Sequence, residues 1–183
     1  DRDRAVPAWL GIRRGHRDQV EGRKRSLLDQ RREIAMRALL PDGVRMFTGD
    51  DFDYPTTIGG DGERHSDALL GAFDIIAPAA SAALLALDAG DVTRFGAILE
   101  PTLPLSRHVF CAPTFYYKTG IAFLAWLGGH QPGFTMVGGL QSARSVVDLA
   151  HTLRLADAAG LIPDPDLAAR RMQSLLDTAG LSR

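Results

Sequence analysis

Hydrophobic and polar positions alternate through Val44–Thr48, reach a Gly49-Asp50-Asp51 corner and break at Pro55. This pattern predicts a buried strand that delivers polar groups at its end. Upstream, residues 20–27 predict the preceding strand, with Lys24 in its middle. Between the two, Asp29 is placed to cap a helix over Gln30–Leu40, whose apolar face is read as Ile34, Ala38, Leu39 and Leu40. Pro41-Asp42-Gly43 then turns the chain. Gly49 to Asp67 reads as a long polar loop, a length that in compact domains usually carries function. The apolar run 68–77 predicts a third buried strand ended by Pro78, while its letters also suit a helix.

Beyond Pro78 the pattern is helical. Ala79–Ala89 closes at Gly90, and Asp91 opens a helix to Leu99. Pro101 and Pro104 bracket a break before a helix over Ser106–Ala112, and Pro113 precedes Thr114–Leu127. Gly138-Gly139 and Ser142 introduce a helix to Ala159, and Pro165 stands at the first position of Asp166–Ala179. Residues 1–19 give a weaker helical pattern, with Trp9, Leu10 and Ile12 available to dock on a core. Strand–helix–strand–loop–strand followed only by helices predicts an α/β chain. The expected architecture is the C-terminal portion, about strands six to eight, of a TIM (β/α)8 barrel with a helical extension. Residues 1–78 would be the partial barrel, and 79–183 a helical region packed on it as one unit.

Composition narrows the function classes. A net charge of −1 with 23% charged residues gives no reason to expect a nucleic-acid partner. No apolar run approaches the ~18 residues that span a bilayer, so no membrane partner is expected. A single cysteine, Cys111, excludes an internal disulfide and suits a reducing, cytoplasmic setting. Residues 1–37 hold eleven of the 21 basic residues, read as a solvated face. There is no glycine-rich phosphate or dinucleotide loop, Asp51-x-Asp53 lacks the glycine and glutamate of a calcium loop, and the histidines have no ligand spacing. Neither cofactor nor metal is expected.

Four segments in order carry a resemblance: Gly22-Arg23-Lys24 ahead of Phe47–Phe52, then His65–Gly71, Tyr116–Gly120 and Met136–Gly139. They are similar to an uncharacterised branch of the dihydrodipicolinate synthase and N-acetylneuraminate lyase superfamily. The resemblance runs from about residue 18 to the C-terminus. It implies a class I aldolase-type lyase in which the matching lysine, Lys24, forms a Schiff base with an α-keto acid such as pyruvate. Thr48, Asp50, Asp51 and His65 are the expected substrate-binding residues. An amine held away from water favours its neutral, nucleophilic form, which is the physical reason for a lysine on a strand.

That superfamily's proton-shuttling tyrosine and carboxylate-gripping hydroxyls lie on earlier strands that this sequence does not contain. The chain, which starts at Asp1 without methionine, is therefore expected to be a fragment, incomplete or inactive alone. It would be completed by the missing barrel half or by homo-oligomerisation. Arg23 and Arg25 flank Lys24 where the family has apolar residues, and alternation sends both toward the helix layer. Simpler readings stand beside these. The Asp50-Asp51 corner could be a turn whose carboxylates accept backbone N–H groups, His65 could neighbour a helix cap, and the aromatics at 115–117 could be core. The rival to a lyase is a non-catalytic helical structural or interaction module derived from one.

Overall fold

The computed structural model describes residues 19–181 together with 7, 8, 11, 12, 15 and 16. The docking expected of Trp9 and Leu10 falls on residues outside those described, and Ile12 is exposed.

Three short parallel strands form one sheet in the order β1 (Gly22–Arg25), β2 (Arg45–Thr48), β3 (Asp67–Ala68). The expected pairing of the first two runs is present, with Lys24 opposite Phe47 and Arg25 opposite Thr48. The crossover between them is α1 (Gln30–Arg37), capped by the Asp29 carboxylate on Arg32 N–H. β2 connects to β3 through α2 (Tyr54–Gly59). The remaining helices are α3 (Ala77–Asp88), α4 (Val92–Leu99), α5 (Leu103–Val109), α6 (Tyr117–Leu127), α7 (Val146–Ala158) and α8 (Pro165–Thr178).

The expectation of barrel strands six to eight is overturned: the protein is helix-rich, and its only sheet among the described residues is this small parallel one. The third expected strand is the main reason. Only Asp67 and Ala68 pair with β2; Gly71–Asp74 is a 3-10 turn, and Pro78 begins α3 instead of ending a strand. A proline has no N–H to lose in a first helical turn, where that group would be unbonded anyway. Pro55 does the same for α2, placing a helix inside the segment read as a loop.

The α1 face also differs from its expected one. Glu33, Met36, Arg37 and Leu40 are buried, whereas Leu39 is exposed. Burying Glu33 and Arg37 is tolerated because each finds partners. Thr48 Oγ1 donates to Glu33 Oε2 at 3.0 Å, and Arg37 reaches Thr57 O at 3.0 Å and Asp61 Oδ2 at 2.9 Å. Arg64 completes this attachment by donating to Arg37 O and Leu40 O, which binds the 60–66 segment to the end of α1.

The main apolar core joins the strand-bearing and helical parts, with Tyr54 and Ile58 of α2 packed among Ile76, Phe95, Leu99, Leu105 and Phe110. A second cluster, Phe123, Leu127, Leu149, Ala168 and Met172, holds α6, α7 and α8 together. Met36, Leu40 and Met46 fill the space between α1 and the sheet. No helix among the described residues is long and apolar enough to cross a membrane.

Candidate functional site

Register fixes which side chains share a face. Met46 and Thr48 are buried toward α1, and Arg23 and Arg25 pair with them, so both arginines lie on that side. Arg25 Nη1 sits 2.9 Å from Met36 Sδ, which agrees with the alternation read from the sequence. Lys24 and Phe47 therefore point to the opposite face. Arg45 joins them there, its guanidinium 5.0 Å from the Phe47 ring centroid and paired to Asp67 at 2.7 Å.

β2 ends where the chain must pass very close to its neighbour. Gly49 N–H donates to Arg25 O at 2.6 Å. A Cβ built on Gly49 would fall 2.6 Å from Arg25 O, 2.7 Å from Ser26 Oγ and 3.0 Å from Lys24 Cε. Only glycine leaves room for the strands to meet and for the lysine stem to lean across the corner.

The two aspartates after Gly49 differ. Asp50 is fully buried; its Oδ1 accepts from Phe52 N–H at 2.8 Å and Asp53 N–H at 3.3 Å, and its own N–H donates to Thr48 Oγ1 at 3.1 Å. These bonds make it the turn-forming carboxylate that local chemistry alone would predict. Its Oδ2 is buried without a hydrogen-bond partner among the described residues. Burial raises its pKa above the ordinary carboxylate value, opposed by the Phe52 and Asp53 N–H groups.

Asp51 reaches out of the turn instead. Its Oδ1 accepts from Ala72 N–H at 2.6 Å, tying the corner to the 3-10 turn beyond β3. Burial pushes the Asp51 carboxyl up to about 6, against the pull of the Ala72 N–H, and the charge of Asp50 adds to the rise while Lys24 lowers it. Lys24 thus lies close enough for its charge to act on this acid.

Of the residues expected to form the site, the structure brings Lys24, Asp50 and Asp51 together at the C-terminal ends of β1 and β2. Ligands bind at that end of open parallel sheets. Thr48 is fully buried on the α1 face, joined to Glu33 and the Asp50 N–H. His65 lies apart, exposed in a separate polar hollow of about 430 Å³ that it shares with Arg37, Arg45, Arg64 and Asp67.

Sequence reading missed two contributors. Glu33 lies below the corner with its pKa raised by burial, countered by the hydroxyls of Ser66 and Thr48. Its spacing to Arg37, one helical turn on, was the available signal. α5 is the other: Ser106 Oγ donates to Asp51 O at 2.6 Å and Arg107 Nε to Phe52 O at 3.0 Å, and nothing in the local sequence announces contacts across fifty-five residues.

Fold and corner together define a helix-rich α/β protein whose small parallel sheet ends in a lysine beside two buried carboxyl groups. The chain belongs to a family of proteins of unknown function, DUF993, whose pattern matches residues 1–181. No curated protein matches it.

Proposed function

We propose that this protein performs class I aldolase-type carbonyl chemistry, with Lys24 forming a Schiff base with an α-keto acid such as pyruvate. The observation that carries the reading is the passage of the Lys24 stem over Gly49, at the corner that also holds Asp51, an acid whose pKa of about 6 suits proton transfer near neutrality. The ordered run of segments resembling the lyase superfamily supports it independently. In the proposed step, neutral Nζ adds to the keto carbon and the resulting hydroxyl takes a proton from Asp51 and leaves as water. The iminium then accepts the electron pair of a neighbouring C–C bond during cleavage. Thr48 and Asp50 serve this scheme by shaping the corner, and His65 only if the substrate extends beyond it.

Lys24 and Arg45 are exposed on a sheet face that parallel sheets ordinarily cover. We therefore read the working site as completed by a second copy of the chain or by additional polypeptide on that face. A cytoplasmic setting fits the single cysteine. The exposure of Lys24 also favours the rival reading, a non-catalytic interaction module. Pyruvate followed by borohydride decides between them. One reduced adduct by intact mass, absent in Lys24→Met, is expected for the lyase-like reading, and no adduct contradicts it.

A further inference from the structure

The corner bearing Asp50 and Asp51 is held from the helical part of the chain by one stripe of polar side chains. Thr102 Oγ1 bonds the Tyr54 hydroxyl, Ser106 Oγ bonds Asp51 O, and Arg107 bonds both Phe52 O and Asp53 Oδ1, the latter at 2.5 Å. Thr102 and Ser106 sit one turn apart on the 100–107 segment and so share a face, while Arg107 follows Ser106 at its edge.

Ser106 is the informative member. It is fully buried between Leu105 and Val109 neighbours that fill the core. A buried helical serine usually returns its hydroxyl to the carbonyl one turn back. Two helical threonines of this chain, the buried Thr152 and the exposed Thr178, do the same, donating to Asp148 O and Ser174 O. Ser106 instead donates to Asp51 O at 2.6 Å. The Asp51 carbonyl is thereby fixed by α5 while its carboxylate is fixed by Ala72 N–H. Turning the 51–52 peptide breaks the first bond, and rotating the side chain breaks the second.

We infer that Ser106, with Arg107 beside it, is a positioning residue that holds the Asp51 carboxyl toward Lys24. Its catalytic meaning rests on the function proposed above, but the contact itself does not. Without the hydroxyl the 51–52 peptide can turn, the carboxyl gains water, and its titration moves toward that of an ordinary aspartate. Displacement of the acid from the amine also slows any reaction they share.

The test is a carbon-detected NMR titration of the Asp51 carboxyl in the full chain, for wild type, S106A, Arg107→Gln and Leu105→Val. The expected result is a midpoint displaced to lower pH in S106A and, by less, in Arg107→Gln. Leu105→Val, which weakens the same helix without touching the bond, keeps the wild-type midpoint. Reductive labelling of Lys24 with pyruvate and cyanoborohydride should slow about tenfold or more in S106A. A folded S106A protein with the wild-type midpoint overturns the inference; if S106A does not fold, an unchanged midpoint in Arg107→Gln does so. An equal displacement in Leu105→Val also overturns it, by showing that loosening α5 is sufficient. Failure of wild-type Lys24 to take the label sinks the proposed function alone, because the titration still reads the contact.

Discussion

Lys24 crosses Gly49 so closely that a single methyl group between them would lie 3.0 Å from the lysine Cε. The same methyl would press on Arg25 O at 2.6 Å, a backbone atom that cannot move aside without opening the strand pair. Gly49→Ala is therefore expected to destabilise the protein by about 1–3 kcal/mol, the range for overpacking, and to displace Lys24 from Asp51. Thermal melting and the rate of Lys24 labelling check the two parts separately.

The raised pKa of Asp51 has a stability consequence with a definite sign. The folded protein holds this proton up to about 6, whereas an unfolded aspartate releases it near 3.8. Folding is thus favoured by the bound proton at low pH, and that contribution is lost as pH rises through the window from 3.8 to about 6. The full difference amounts to about 3 kcal/mol. Asp51→Asn should match wild type near the bottom of this window and exceed it in stability at neutral pH. Denaturant melts at both pH values measure the difference. Asp61 acts in the other direction: backbone bonds from Arg64 and the Arg37 side chain hold it down to about 2, so its contribution is present above 3.8 and lost as pH falls toward 2.

Arg37 is almost fully buried and bonds Thr57 O, Ser66 Oγ and Asp61. Arg37→Met is expected to cost about 1–3 kcal/mol, because the buried end of the charge-assisted network to Thr57 O, Ser66 Oγ and Asp61 is lost. Asp61→Asn combined with Arg37→Met should cost less than the sum of the two single changes, since the pair is already broken by either one. Urea unfolding of the two single variants and the double variant checks this through their coupling energy.

How much of the molecule is legible in its sequence depends on the range of the interactions involved. The β1–β2 pairing, the Asp29 and Asp91 caps and the Asp50 turn all arise from contacts within a few residues or one crossover, so residue type suffices to read them. Prolines are the main source of error. Pro55, Pro78 and Pro104 read as breaks, yet each stands in the first turn of a helix, as Pro165 does. A proline ends one element and starts the next with equal ease, and only the packing of the residues beyond it decides between them. Along 68–77 that packing is the burial of Leu70, Ala72 and Ile76 beneath α3 to α5, together with the capture of Ala72 N–H by Asp51. No strand pattern encodes that capture. The buried Glu33–Arg37 face is hidden for a related reason: periodicity counts apolar residues, and here charges with partners three elements away take the inner positions. Of the candidate site, the lysine and the corner are readable, whereas Ser106 and Arg107 are not, since their partners lie far along the chain.

Two lysines occur in the sequence, Lys24 and Lys118, and this makes the most direct measurement simple. Lys118 is exposed on α6, in an element that contributes no group to the corner, and serves as an internal standard. Pyruvate with cyanoborohydride at pH 7, followed by peptide mapping, gives the ratio of modification at the two sites. If Lys24 and Asp51 act together as amine and acid, Lys24 is preferred at least about tenfold, and the preference is lost in Asp51→Asn. Equal modification of both lysines, or none at Lys24, would contradict a shared role for the two residues.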